Sequence, residues 1–218
     1  MKMLATMVAC SSLWSGPGVA SVQSIVGDPA STSLEANFGR AISSLPHTIS
    51  LPGRHYLTTN LRGVAGQSGI TSAASGVTLD LMGFELVGVA ASLDGVEVSV
   101  AATNITIHNG TVRDWGRFGI NAQNADDSLF RDLRLSTNGW SGLVCGASSR
   151  VSDCTASRNS VDGIQTRTGC AVAHCVVEEN QIGISSNGTI LVVDCTASSN
   201  VDDGIHVATG TILSLIHI

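Results

Sequence analysis

Aromatic residues are scarce in this chain: three Trp, one Tyr and four Phe make up 4% of 218 residues. That excludes an interior built mainly on large rings and favours a thin one filled by small and branched side chains. Charge is scarce as well, at 13%, yet 43% of the residues are hydrophobic, so the chain is not of the disordered class. Basic residues are outnumbered 11 to 17, for a net charge of −6. With no basic stripe to neutralise phosphates, nucleic acid is excluded as a partner, and an anionic membrane surface equally so. No run reaches the ~18 to 20 apolar residues that a spanning helix needs. The L-x-x-L-x-L pattern of leucine-rich repeats is missing, and so are the 3.6-periodic apolar faces of helical repeats.

Glycine, by contrast, is plentiful, with 24 residues, and part of it keeps time. Gly119-Ile120, Gly142-Leu143, Gly163-Ile164, Gly183-Ile184 and Gly204-Ile205 follow one another at intervals of 23, 21, 20 and 21. Two further markers hold the same beat: Asp132-Leu133, Asp153-Cys154, His174-Cys175 and Asp194-Cys195, and the asparagines Asn138, Asn159, Asn180 and Asn200. A period near twenty signals a solenoid, in which no repeat buries its apolar face alone. Between the markers the apolar runs are two to five residues long, β-branched, and bounded by Gly, Asn, Asp and Ser. Runs of that kind are strands between turns. The fold expected is all-β: a single-stranded parallel β-helix forming one elongated domain.

Stacking the coils at about 4.8 Å puts like positions above one another. Two inner columns follow: Ile107, Phe130, Val151, Val172, Val192, and Ile120, Leu143, Ile164, Ile184, Ile205. A third holds Cys154, Cys175 and Cys195, with Leu133 and Val112 expected on its earlier rungs. Parallel side-chain vectors make these thiols rather than a bridge, and apolar filling is their simplest role. Cys170, His174 and Cys175 lack a second pair at ligand spacing, so no metal site is expected.

The asparagine column reads as a structural ladder at a turn, where Asn tolerates left-handed φ and its amide can bond up and down the stack. Asp132, Asp153 and Asp194 read as corner caps; the chemical alternative is an acid/base pair of Asp132 with Asp153.

Flanking segments complete the organisation. Residues 1–27 read as an export leader, with Lys2, a mostly apolar stretch over residues 3–14 and the small-x-small pattern Gly18-Val19-Ala20; Met7-Val8-Ala9-Cys10 is a fainter lipid-anchor pattern. An extracellular, cell-surface or periplasmic location follows. Residues 28–61, punctuated by Pro29, Pro46 and Pro52, are expected to cap the open first coil; residues 62–213 carry the repeats. Residues 214–218 break the inward columns and the capping logic, so the expectation is a C-terminally truncated helix with a non-native tail.

The phrases ISSLPHTISLPGRHYLTTNL, GITSAASGVTLDLMGFELVGV, NITIHNGTVRDWGRFGI and the DCTASxNxxDGI repeats resemble right-handed parallel β-helix repeat proteins of the pectate-lyase-like superfamily, over about residues 40–213. The resemblance implies an exported protein whose outer strand face takes polysaccharide. It does not carry the chemistry: the WxDH signature and the NTD, DD and GHG blocks are absent. On the strand after each Gly-Ile, the outer positions that would face a ligand include Asn121, Gln123, Gln165, Ser185 and Asn187. Two classes stay open. One is a glycan-binding or surface scaffold module without cofactor. The other is a lyase or hydrolase acting on acidic polysaccharide through Arg167, His206, Asp162 and Asp203, with Ca²⁺ implied only in that case and six to eight oxygens needed to hold it.

Overall fold

The computed structural model describes residues 39–208 and the backbone of the strand Ile212–Leu215. The expected leader, the first part of the expected cap and residues 216–218 lie outside the described residues. All regular structure within them is strand, wound into a parallel solenoid. One wall is an eight-stranded parallel sheet, from His47–Ile49 through Ile120–Ala122, Leu143–Cys145, Asp162–Thr166 and Ile182–Ser186 to Ile205–Val207. The other is a 14-stranded sheet in which later coils contribute two short strands joined at a bend, while Thr106–Arg113 and Leu129–Ser136 each run through the bend as one strand.

The bend has a local cause. Asn109, Asp132, Asp153, His174 and Asp194 each take a positive φ, from 49° to 63°, a region open to Asn and Asp at little cost. Beyond the bend the strand runs on to a second positive-φ residue: Asp114, Thr137, Arg158, Glu179 or Ser199. The left-handed residue therefore immediately precedes each ladder asparagine and is not the asparagine itself, because the Asn side chain is needed inside. Asn138, Asn159 and Asn180 are 1–2% exposed. Asn138 Nδ2 donates to Asn159 Oδ1 at 2.9 Å, Asn159 Nδ2 to Asn180 Oδ1 at 3.0 Å, and Asn180 Nδ2 to Asn200 Oδ1 at 3.2 Å. The ladder starts at Trp115, whose N–H donates to Asn138 Oδ1 at 3.2 Å.

Trp115 also corrects the expectation of a uniformly thin interior. It is 1% exposed and fills the early coils, where glycines make room: a Cβ on Gly63 or Gly69 would lie 2.6 Å from its ring. Further along, Ile107, Phe130, Val151, Val172 and Val192 pair in register and are at most 1% exposed. Ile120, Leu143, Ile164, Ile184 and Ile205 form the second continuous column. Each buried branched side chain contributes about 1.5–3 kcal/mol, and stacking lets neighbours share one core.

In the cysteine column the rung before Leu133 is Gly110, not Val112. Leu81 occupies that space, 2.4 Å from where a Gly110 Cβ would be. All five cysteines among the described residues are buried and free. The Sγ of Cys154, Cys175 and Cys195 each donates to the carbonyl two residues back, at 3.1, 3.2 and 3.3 Å. The column thus answers a carbonyl at each bend as well as filling space.

Two boundaries differ from expectation. Residues 40–61 are themselves a coil: His47–Ile49 pairs with Ile70–Ser72, and Gly53 aligns with Val77. Alternation around the Pro-Gly turn served strand pairing instead of a separate cap. At the other end Ser214 and Leu215, expected outside the repeat, align with Val192 and Val193 in the strand Ile212–Leu215. Backbone pairing extends the sheet there without needing the side-chain pattern.

Candidate functional site

The residue before each marker glycine and the second residue after it face one another across the outer side of the eight-stranded sheet. The glycine between them is demanded by the inside: a Cβ on Gly163 would lie 2.7 Å from the Gly183 carbonyl oxygen and 2.8 Å from Asn180 Nδ2. Going up the coils, the residue before glycine is Asp94, Phe118, Ser141, Asp162, Ile182 and Asp203. The facing column is Glu97, Asn121, Val144, Gln165, Ser185 and His206, aligned rung by rung.

One pairing device occurs twice. Asn121 Nδ2 donates to Asp94 Oδ2 on the coil below at 3.0 Å, and Ser185 Oγ donates to Asp162 Oδ2 on the coil below at 2.7 Å. Asp94 is 0% and Asp162 4% exposed, so the neighbouring coils close over both. Burial pushes both carboxyls above the usual carboxylate range. At Asp94 this is opposed by hydrogen bonds from Asn121 and Phe118 and by the Arg117 charge; at Asp162, by Ser185 and by His206. On the last rung His206 Nδ1 lies 2.9 Å from Asp203 Oδ2.

Of the four candidate catalytic residues, Asp162, Asp203 and His206 therefore share one neighbourhood, with Ser185 between them. Arg167 stands one outer column further along, and among the described residues no ion pair joins it to a carboxylate. Gln165 and Ser185 lie in the central outer column with Asn121, whereas Gln123 and Asn187 belong to the next column with Arg167. The residues do not fit a calcium site: no group of three or more His, Cys, Asp or Glu side chains converges as a metal would require among the described residues. Asp132 and Asp153, the alternative pair, face separate partners on the other sheet: Arg131 Nη1 at 2.5 Å from Asp132, and His174 Nδ1 at 3.8 Å from Asp153.

A cluster missed by sequence reasoning adjoins the site. Trp140, 43% exposed, meets Phe118 edge to face at 4.9 Å and 87°. The Arg117 guanidinium lies 4.7 Å from the Trp140 ring centre, and its Nε is 3.6 Å from Asp94 Oδ1. The signal was present, since Arg117 and Trp140 both stand two residues before a marker glycine. Asn121 Oδ1 is buried and has no hydrogen-bond partner among the described residues.

The profile of the right-handed β-helix region matches residues 65–185 and 90–216. The chain belongs to the right-handed β-helix family. Among solved structures, this β-helix chain is similar to the Dettilon tailspike protein, at 16% identity and a TM-score of 0.63, over 77% of this chain and 38% of that one. It is also similar to the enzymatically active domain of bacteriophage CBA120 tailspike protein 2, at 11% identity and a TM-score of 0.45, over 82% of this chain and 39% of that one. The β-helix chain thus spans well under half the length of either. No curated protein matches it. What the likeness to the Dettilon protein establishes is the fold. No helix among the described residues is long and apolar enough to cross a membrane.

Proposed function

We propose that this β-helix is an extracellular glycan-binding module, with a saccharide chain lying along the outer face of the eight-stranded sheet. The observation that carries the reading is Trp140. It stands 43% exposed, buttressed by Phe118 at 4.9 Å, at the edge of a face whose other side chains are mainly hydrogen-bonding. A fixed aromatic beside orienting polar groups is what a sugar ring needs: an apolar surface for its C–H face and partners for its hydroxyls. Asn121, Gln165 and Ser185 supply those partners, with Gln123 and Asn187 along the neighbouring column.

Hydrolysis is a second reading, favoured by the convergence of Asp162, Ser185, His206 and Asp203. Asp162 holds its proton above the usual carboxylate range and would serve as the acid; the Asp203–His206 pair would serve as the base. Its support is this geometry and not the fold, which hosts many functions.

Carbohydrate-array binding by the full chain, with Trp140→Ala alongside, tests the first reading. Selective retention of glycans, lost in Trp140→Ala at unchanged thermal stability, is expected; absence of glycan binding in the parent protein overturns it. Release of reducing ends from a retained glycan, abolished in Asp162→Asn, would establish the second. Ultraviolet absorbance of an unsaturated product would instead identify a lyase.

A further inference from the structure

We infer that the outer face selects an uncharged sugar whose hydroxyl donates to Asn121 Oδ1 beside the Trp140 cluster, and that it rejects uronic-acid polymers. This deepens the glycan-binding reading and rests on it.

The first ground is charge. Glu97, Asp202 and Asp203 border the face as carboxylates, with the buried carboxyls of Asp94 and Asp162 behind them, against the guanidinium groups of Arg117 and Arg167. Arg117 lies over Trp140, with its buried Nε 3.6 Å from Asp94 Oδ1 and without a hydrogen-bond partner among the described residues. A polyuronate would carry a carboxylate per ring into this field, and like charges brought together at an interface are strongly disfavoured.

The second ground separates a neutral ligand from a cationic one. Every one of these five acidic groups is answered from within the protein. Asp94 accepts from Asn121 and from the Phe118 N–H, Glu97 from Ser68 at 2.9 Å and Asp162 from Ser185. Asp202 accepts from Gln181 at 3.0 Å, and Asp203 pairs with His206. No carboxylate is held in reserve for an ammonium group, and the cation place over Trp140 belongs to Arg117.

The third ground is the polar atom left open. Asn121 is 6% exposed, its Nδ2 is committed to Asp94, and its Oδ1 lacks a donor among the described residues. A buried acceptor without a donor is costly, and a ligand that supplies one removes that cost. A hydroxyl does so, whereas a carboxylate would set oxygen against oxygen.

The test uses the full chain and three immobilised polymers: a neutral β-glucan or mannan series, polygalacturonate and chitosan. Binding to the neutral series is expected to be at least about tenfold tighter than to polygalacturonate. It should change less than about twofold between ~50 and ~500 mM salt, because no ion pair is screened. Asn121→Ala should weaken it by roughly three- to tenfold, the range of one hydrogen bond. Equal or tighter binding of polygalacturonate or chitosan overturns the inference while leaving glycan binding intact; so does unaltered neutral binding in a folded Asn121→Ala. If that variant does not fold, polymer rank and salt response in the parent protein decide. Binding to none of the polymers, together with a silent carbohydrate array, sinks the glycan reading itself.

Discussion

Asn159 gives both its backbone N–H and its side-chain Nδ2 to a single atom, Oδ1 of Asn180, at 2.9 and 3.0 Å. The same Asn159 accepts through its own Oδ1 from Asn138, again from backbone and side chain, at 3.2 and 2.9 Å. Its Nδ2 also reaches the Leu135 carbonyl at 3.1 Å. Asn159→Ala would leave the Asn138 N–H without its acceptor and take one donor each from the Leu135 carbonyl and Asn180 Oδ1, all in the interior. A loss of about 3–5 kcal/mol is expected by chemical denaturation. A loss below about 1 kcal/mol would mean that water reaches these groups.

The marker glycines should differ along the stack. At Gly163 an added methyl would meet the Gly183 carbonyl at 2.7 Å, a backbone atom that cannot swing aside. At Gly204 the nearest atom is the Ala197 Cβ at 3.3 Å. Gly163→Ala is therefore expected to cost about 1–3 kcal/mol and Gly204→Ala much less. Equal melting temperatures for the two variants would refute this account of the glycine column.

Two buried aspartates should give opposite pH dependences. Burial raises the Asp94 carboxyl, so the folded state binds its proton more tightly than the unfolded chain does. The resulting stability is full below the usual carboxylate range and is lost as pH rises through the raised value. At Asp80 burial alone would raise the carboxyl, but the Met82 N–H, His108, Asn109 and Arg54 outweigh it and leave it lowered. Its stability is present above the usual range and lost as pH falls through the lowered value. Between about pH 3 and pH 7 the melting-temperature advantage of the parent protein over Asp94→Asn should shrink, while that over Asp80→Asn should grow. Parallel trends would contradict the assignments.

Arg117 links the aromatic cluster to that titration. Its positive charge lowers the Asp94 carboxyl against the larger effect of burial. In Arg117→Gln, the Asp94 carboxyl followed by carbon NMR should titrate at higher pH than in the parent protein. Trp140, which loses the guanidinium 4.7 Å from its ring, should become more accessible to a fluorescence quencher. An unmoved Asp94 titration would show that Arg117 is screened from it.

How much of this was legible depended on whether the repeat itself did the work. The columns through Ile164 and Val151 could be read from spacing because each coil contributes one residue to each, with no other information needed. The Val112 placement failed because Gly110 has no side chain of its own and Leu81 reaches in from another part of the chain. The turn asparagines suggested positive φ, yet Thr137, Arg158, Glu179 and Ser199 carry it, since the ladder requires Asn at the buried position. At the site, Asp162 and His206 were visible by position on the outer strand. The Asp162–Ser185 bond runs between neighbouring coils and depends on how side chains lean, which spacing does not encode. Asp94 lies in the less regular early coils, and its contact with Asn121 crosses from one of them into the regular repeat.

The outer column has a consequence that the repeating interior hides. Inside, successive rungs are near synonyms: Ile120, Leu143, Ile164 and Ile184. Outside, the adjacent positions read Glu97, Asn121, Val144, Gln165, Ser185 and His206, a different chemistry at every step of about 4.8 Å. A polymer resting on this surface therefore meets a numbered scale. Sliding by a single step would bring a hydroxyl from the Asn121 carbonyl onto the methyls of Val144. On the proposed glycan-binding reading such a polymer has one preferred frame, fixed by outer positions of which two, Asn121 and Ser185, are themselves tied to buried carboxyls.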